Sequence, residues 1–567
     1  MGNMGSGATA PGGAGGRAIP SRWLPLAAVA LCLAVAVGYC AAKRGYFVDE
    51  IWSYGYANSH YARVLSDTRG GDLSGATLTR RDLLDYVSVG EGERMDVGSV
   101  LHNQEGDLHP PLFGLALNAA SSLAPGTWSK WAGLGLNLAC HAVALVALWA
   151  LLRELGCSPA ASACGVALWG LSRAGLSDVL YIRMYEMLTA LTVLLALELA
   201  ALMRRGASGG ARRLLPAAVG ATVFFGLMTQ YYFAIYAFLA CLAAGTHLLR
   251  RRRLAEAGAL AACALAGVGL FLLAWPAALA HLGAGGATPG TSGEGALVAL
   301  LYVPAWPGTL LLFGRYALKD MVVAILAWGL SAWARIRLGH GGGDREGEGA
   351  TEGGAPSVAV ASVAPGLLTL ALVSLVAPFL SMRYLYSPCP LVAAGAALSL
   401  DAWLLSSAPG GRGRLTALAA LAMVAALFAF DVAMPPAYLG EKDAQQREIM
   451  APYAADPCVY LVNRGDTGFS WANLSITADV PQLMEFEDVH VEKDPASAGI
   501  AAYLASKGNP DEVVLYVDMY DAPSDRTGEE RAREVAGRLG YANWTYIKGY
   551  MGANEGYVSS ETYLLKR

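Results

Sequence analysis

Four short segments of this chain combine residue types that could do chemistry. Phe47-Val48-Asp49-Glu50-Ile51-Trp52 sets two carboxylates side by side among apolar residues. A carboxylate held at a partly dry surface can have a raised pKa and accept a proton as a general base. The same pair would also suit the first turn of a helix. Asp107-Leu108-His109-Pro110-Pro111-Leu112 reads as the start of a helix, since paired prolines fix its N-terminus. Such an end carries free N–H groups and positive potential, which suit a phosphate. His109 would add a donor there and Asp107 would orient it; the plain alternative is a simple turn. Tyr181-Ile182-Arg183-Met184-Tyr185-Glu186 and Ser381-Met382-Arg383-Tyr384-Leu385-Tyr386 each put an arginine beside tyrosines at the mouth of apolar segments. The planar guanidinium fork suits a phosphate ester. Snorkelling, interfacial anchoring, or pairing of Arg183 with Asp178 or Glu186 are the competing roles. Together the four segments offer a base and a set of cations for phosphate.

The elements that must position these groups are membrane helices. Of 567 residues, 55% are hydrophobic and only 15% charged, against about 25% charged in an ordinary soluble domain. Mean hydropathy is +0.40. A chain this apolar needs the bilayer as solvent for much of its length. The net charge of −4 argues against a nucleic-acid partner. Apolar runs lie at 23–42, 131–152, 160–177, 184–203, 214–230, 231–249, 255–275, 317–334, 361–380, 386–405 and 414–434, about eleven crossings of a roughly 30 Å core. Shorter apolar stretches at 111–124 and 298–313 read as interfacial or re-entrant helices.

Charge sets the expected orientation. Arg153, Arg204–Arg205, Arg212–Arg213, Arg250–Arg253, Arg335 with Arg337, and Arg412 with Arg414 fall in alternate loops, which places those loops and the N-terminus in the cytoplasm. Lys43 and Arg44 break this pattern. An odd number of crossings then puts the C-terminus outside, and all four motif segments fall on the outer side. The expected organisation is a Gly/Ala-rich cytoplasmic tail at 1–22 and a membrane domain at 23–434. That domain includes a large outer loop at 43–110 and a cytoplasmic linker at 339–357. Residues 435–567 alternate short strand-like runs (Val459–Val462, Val513–Val517) with a helical stretch at 528–539, and read as a small extracytoplasmic α/β domain. The fold class expected is an α-helical polytopic membrane protein with this appended domain.

Weaker signals add little. Nine cysteines show no zinc spacing, and Cys458 is alone in the C-terminal domain, so that domain holds no internal disulfide. His60, His102 and His109 share a loop with many carboxylates, which leaves a divalent metal open without a ligand spacing to support it. Gln230-Tyr231-Tyr232 sits at another outer helix boundary and suits either a site lining or an aromatic belt. Asn473-Leu474-Ser475 and Asn543-Trp544-Thr545 match the glycosylation sequon.

The four segments, in this order and on one side, resemble the GT-C superfamily of polytopic glycosyltransferases, and in particular the bacterial protein O-mannosyltransferase and aminoarabinose transferase families. Asp49–Glu50 is similar to the acidic motif of the first outer loop, and His109–Leu112 to the His/Lys-Pro-Pro-Leu motif. Arg183–Tyr185 resembles an Arg-Met-Tyr motif before the fourth crossing, and Arg383–Tyr384 an Arg-Tyr pair after a late helix. The resemblance covers roughly residues 23–405. One position departs: many relatives carry an acid two places before the arginine, where this chain has Tyr181, with Asp178 or Glu186 as substitutes.

The resemblance implies transfer of a sugar from a polyprenyl-phosphate donor to an extracytoplasmic glycan, lipid or protein acceptor, with inversion at the anomeric centre. It implies Asp49 as general base and Glu50 as its companion, either orienting Asp49 or contacting the acceptor. Arg183, Arg383 and His109 would stabilise charge on the leaving phosphate, and Asp107, Tyr185 and Tyr384 would line the substrate site. A lipid-linked glycan flippase or a glycan polymerase are the alternatives; a transporter would more often show internal repeats and midplane charges.

Overall fold

The computed structural model describes residues 23–107, 109–205, 213–283, 303–338, 355–377, 381–406, 422–423, 425–430, 433–440, 442–462, 472–519, 527–551 and 558–567. The expected tail at 1–22, most of the linker at 339–357 and most of the run at 414–434 lie outside them.

The chain opens with α1 (Leu24–Ala42), whose nineteen residues carry no charge. Val29, Cys32, Ala36 and Cys40 are its buried stripe, at helical spacing. Four short helices follow: α2 (Val48–Asn58), α3 (Arg80–Val87), α4 (Val97–Glu105) and α5 (Leu112–Ser121). The long apolar helices come next: α6 (Lys130–Glu154), α7 (Pro159–Gly170), α8 (Arg173–Leu180), α9 (Tyr185–Arg205), α10 (Leu215–Thr229), α11 (Phe233–Arg250) and α12 (Leu254–Ala274). They continue as α13 (Ala277–Gly283), α14 (Trp306–Leu338), α15 (Ala355–Val376) and α16 (Cys389–Ser406).

By length and composition, six described helices can cross a membrane: α1, α6, α9, α11, α12 and α15. This is a membrane protein built mainly of helices. The expected crossings at 214–230 and 386–405 are shorter apolar helices. The run at 160–177 is broken after Gly170, because the Ser172 side chain accepts from Gly175 N–H and starts α8 afresh. The stretches at 298–313 and 317–334 are not separate: residues from Trp306 onward join one helix of 33 residues, bent at Met321. Small residues let these helices touch. A Cβ on Gly267 of α12 would lie 2.3 Å from the Gly220 carbonyl oxygen of α10, so the two backbones are in contact there.

The C-terminal part forms a six-stranded sheet in the order β1-β3-β2-β4-β6-β5. Its strands are β1 (Thr77–Thr79), β2 (Cys458–Leu461), β3 (Asp488–Glu492), β4 (Glu512–Asp518), β5 (Asn543–Met551) and β6 (Val558–Lys566). The strand-like runs read from the sequence are β2 and β4. The helices here are α17 (Lys442–Met450), α18 (Ala472–Leu483), α19 (Ala498–Ser506) and α20 (Gly528–Leu539). Residues alternate between the two faces of each strand. Val459, Leu461, Val513, Leu515 and Val517 pack with Ile500, Leu504, Ala532 and Val535 on one face. Cys458, Tyr460, Val514 and Tyr516 on the other join the core that runs on into α1, α6 and α7.

β1 belongs to the first loop, not to the C-terminal segment. Thr77, Leu78 and Thr79 pair antiparallel with His490, Val489 and Asp488. The described residues of the loop 43–110 and of 435–567 therefore build one cap around a shared sheet.

Candidate active site

Asp49 and Glu50 occupy the first turn of α2, and the helix sends them in different directions. Glu50 turns back onto the helix start, where its Oε2 accepts the Phe47 N–H at 2.8 Å; this is the usual task of a glutamate at the third helical position. The same oxygen meets Lys43 Nζ at 3.1 Å, and both side chains are fully buried. Oε1 accepts the Ile182 N–H at 2.8 Å. Both oxygens of Glu50 are thus engaged, and they join the end of α1, the start of α2 and the segment between α8 and α9. Lys43, which broke the charge pattern of the loops, is a buried partner of an acid.

Asp49 faces the other way. Its Oδ2 accepts the Tyr181 hydroxyl at 2.5 Å and is ion-paired with Arg383 Nη1, which also donates to the Tyr181 oxygen at 3.1 Å. Arg183 Nη1 lies 3.3 Å from both the Asp49 carbonyl oxygen and Ser53 Oγ. Oδ1 of Asp49 has no hydrogen-bond partner among the described residues. Burial pushes the Asp49 carboxyl up. Arg383, Arg183, the Tyr181 hydroxyl and His109 together outweigh it and hold the group below the usual carboxylate range. For Glu50 the balance reverses: burial outweighs Lys43 and the two N–H donors, and its pKa is raised.

The segment carrying Tyr181 and Arg183 is fixed from beneath. Asn137 of α6 donates to the carbonyls of Val179 (3.0 Å) and Tyr181 (2.7 Å). Ile182 rests on Gly133 of α6, where an added Cβ would lie 2.1 Å from Ile182 Cγ2. Asp178 and Glu186 were candidate partners of Arg183, but they turn elsewhere. Thr189 donates to Asp178 at 2.7 Å, and Glu186 meets His141 Nδ1 at 3.0 Å. No acid substitutes at the Tyr181 position; the phenol itself contacts Asp49.

Tyrosines wall the site. Tyr185 lies parallel to Tyr181 with centroids 5.7 Å apart and is edge-on to Tyr384 at 6.2 Å. Arg383 sits over the Tyr384 ring at 5.2 Å, and Tyr232 meets that ring edge-on at 5.9 Å. The candidates Asp49, Glu50, Arg183, Tyr185, Arg383 and Tyr384 thus lie in one contact network. Asp107 and His109 form their own pair, Oδ2 to Nδ1 at 2.9 Å, close enough for His109 to act on Asp49 through its charge. α5 begins at Leu112, with Pro111 in the capping position. Tyr181, Lys43 and Ser53 were not singled out as site residues. The first two carried a signal, since one departs from the motif and the other from the charge pattern.

Two buried guanidinium hydrogens are unspent: Arg183 Nε and Arg383 Nε have no acceptor among the described residues. Buried N–H groups are rarely left so, and two at one site suit an anionic ligand. The donor set does not suit a divalent metal. Oδ2 of Asp49 is engaged by Arg383 and a phenol, Glu50 by Lys43 and two N–H groups, and Asp107 by His109. His60 faces Asp96 at 3.3 Å, away from these, and among the described residues no three His, Cys, Asp or Glu side chains converge on one point.

No family model and no curated sequence matches this chain. Solved structures similar in overall course include ArnT from Cupriavidus metallidurans bound to undecaprenyl phosphate, at 12% identity over 95% of this chain and 97% of ArnT (TM-score 0.49). A second is the arabinofuranosyltransferase AftD from Mycobacteria, at 15% identity over 97% of this chain but 40% of AftD (TM-score 0.46). A third is the oligosaccharyltransferase AglB from Archaeoglobus fulgidus, at 10% identity over 94% of this chain and 75% of AglB (TM-score 0.44). At these identities no residue role or substrate passes from them to this chain.

Proposed function

We propose that this protein is a membrane glycosyltransferase that moves a sugar from a polyprenyl-phosphate carrier to a hydroxyl on an extracytoplasmic glycan, lipid or protein. The observation that carries the reading is the Asp49 carboxylate held by Tyr181 and Arg383 on one oxygen, beside two buried guanidinium groups with unspent donors. Asp49 Oδ1 takes the acceptor proton as the acceptor oxygen bonds to the anomeric carbon. The bond from that carbon to the phosphate oxygen breaks, and polyprenyl phosphate leaves. A single displacement with base and phosphate on opposite faces inverts the centre. Arg183 and Arg383 supply the donors where negative charge grows, the place where fixed donors help most. His109 adds a further donor, and Tyr185 and Tyr384 line the sugar. Glu50, fully engaged, acts by holding α2 against the Ile182 segment. No step passes through a metal ion.

The proposed topology has about eleven crossings, the N-terminus in the cytoplasm, and the cap of 43–110 with 435–567 outside. An open apolar groove of about 1010 Å³ runs between α10, α11 and α12, lined by residues including Phe238, Leu242, Leu265 and Val268, and reaches Tyr231. The next residue, Tyr232, touches Tyr384 beside Arg383, so a polyisoprenoid chain in the groove brings its phosphate toward the guanidinium pair.

The test is a transfer assay on purified protein in lipid with a panel of radiolabelled polyprenyl-phosphate sugars and a membrane-glycan extract. Transfer by the wild type that collapses in a folded Asp49→Asn variant supports the reading. Movement of lipid-linked sugar between leaflets with no new glycosidic bond replaces it with a flippase.

A further inference from the structure

The segment 435–440 leads from the membrane domain toward α17, and it does not pass the site at a distance. Arg173 Nε of α8 donates to the Pro435 carbonyl at 3.0 Å, and Ala437 N–H to Ser177 Oγ at 2.9 Å. Lys43 Nζ donates to the Tyr438 carbonyl at 2.6 Å, and Arg44 N–H to the Leu439 carbonyl at 3.1 Å. The strap is thus bonded to the ends of both α1 and α8. At its centre Tyr438 has φ +64°, a left-handed conformation that disfavours a bulky side chain. That backbone lays the ring flat on Tyr181, with centroids 4.1 Å apart and planes 8° from parallel, while Phe47 closes the edge at 5.3 Å. Tyr181, held between the parallel rings of Tyr438 and Tyr185, has its hydroxyl fixed on Asp49 Oδ2.

We propose that Tyr438 is a positioning residue for Asp49: its ring clamps Tyr181, so that the Tyr181 hydroxyl stays on Oδ2 and Oδ1 stays open to the acceptor. The strap thereby couples the C-terminal part to the reacting centre. The assignment rests on Asp49 being the base of the proposed transfer, but its geometry can be read without transfer. The groups that face Asp49 are Arg383, Arg183, Tyr181, Tyr185 and His109. Of these, Tyr438 touches Tyr181.

The experiment labels Asp49 with a carbodiimide and an amine in the full-length protein in lipid, followed by mass spectrometry from about pH 3 to pH 7. The protonated carboxyl is the form that reacts. Tyr438→Ala loosens a hydrogen bond to the charged form, so its labelling curve moves to higher pH by roughly 0.5–1 unit, toward that of Tyr181→Phe. Tyr438→Gly behaves in the same way and, free of the strained φ, also serves if Tyr438→Ala fails to fold. Tyr438→Phe keeps the ring and returns the wild-type curve. Curves for folded Tyr438→Ala and Tyr438→Gly that overlay the wild type overturn the proposal, whatever the transfer assay shows. A shift in a protein that transfers no sugar upholds the clamp and removes the proposed function.

Discussion

Tyr181 donates its phenolic hydrogen to the oxygen of Asp49 that is ion-paired with Arg383, and the Arg383 guanidinium donates to the Tyr181 oxygen as well. The three groups close a triangle around Asp49 Oδ2. It keeps the carboxylate ionised despite burial, since burial raises its pKa and the cations and the phenol lower it further than that. In the proposed transfer, a base kept ionised in this way is ready over the whole neutral range.

Substitution at this triangle should separate proton abstraction from positioning. Asp49→Asn should lower kcat by about 10²–10⁴-fold, the span of general base catalysis, with KM for the lipid donor little changed. The acid limb of the wild-type pH profile should lie below the ordinary aspartate pKa, because the folded value is depressed. Tyr181→Phe removes a hydrogen bond to the charged form, so activity should be lost at higher pH than in the wild type, by about one unit. An acid limb that does not move in Tyr181→Phe would separate the phenol from the base. The measurement is kcat against pH for the three proteins.

The Lys43–Glu50 pair should be worth most when only one member is removed. Lys43→Met leaves a fully buried carboxylate without its ammonium partner, and about 3–5 kcal/mol of stability should go. Removing both charges, as Lys43→Met with Glu50→Gln, should cost less than the sum of the single changes. A double-mutant cycle by thermal unfolding in detergent measures this, and additive losses would remove the pair from the account. Burial dominates at Glu50 and its folded pKa is raised. Its contribution to stability is therefore present below the ordinary glutamate value and declines as pH rises through the folded value.

Lys43 and Glu50 also show what the sequence could and could not convey. The motifs announced themselves by type and by position relative to apolar runs, and six of the proposed residues meet in one network. The helical class was legible because a bilayer imposes runs of a set length and composition. Partner choice was not legible. Lys43 looked like an error in the charge pattern because its pairing with Glu50 depends on how α1 and α2 meet. Tyr181 looked like a missing acid because a ring hydroxyl reaches Asp49 only after the loop folds over Gly133. β1 was hidden because three residues carry too little alternation to read, and their partner strand is some 400 positions later. The bend at Met321 and the break after Gly170 are likewise set by packing and capping rather than by hydropathy.

The cap has a pH dependence of its own. Lys548 of β5 is buried, its Nζ donating to Gln482 Oε1 at 2.5 Å and lying 4.9 Å from the Tyr516 ring centre. Burial pushes its pKa down to about 8, against the pull of Asp479 and Asp443. Between about pH 8 and the ordinary lysine value the unfolded chain binds a proton that the folded cap does not, so stability should rise with pH across that window. Lys548→Met should flatten this rise. Unfolding of wild type and variant, followed by near-UV circular dichroism from pH 7 to 10, tests it; parallel curves would contradict it.

Gly133 offers a steric test of the whole site. A methyl there would sit 2.1 Å from Ile182 Cγ2 and 3.1 Å from the Tyr54 hydroxyl. Ile182 lies between Tyr181 and Arg183, so the Gly133→Ala change must push that segment off α6. Overpacking of this kind costs about 1–3 kcal/mol, but the larger effect should fall on turnover, because Tyr181 and Arg183, two of the three residues that contact Asp49, ride on the displaced segment. Ile182→Ala, which keeps the backbone N–H that Glu50 Oε1 accepts, should by itself open space without moving the backbone. Combined with Gly133→Ala it should restore much of the lost kcat. Rescue by this second truncation identifies the position of the Tyr181–Arg183 segment as the variable that sets activity. A double variant no better than Gly133→Ala would assign the loss to helix packing elsewhere along α6.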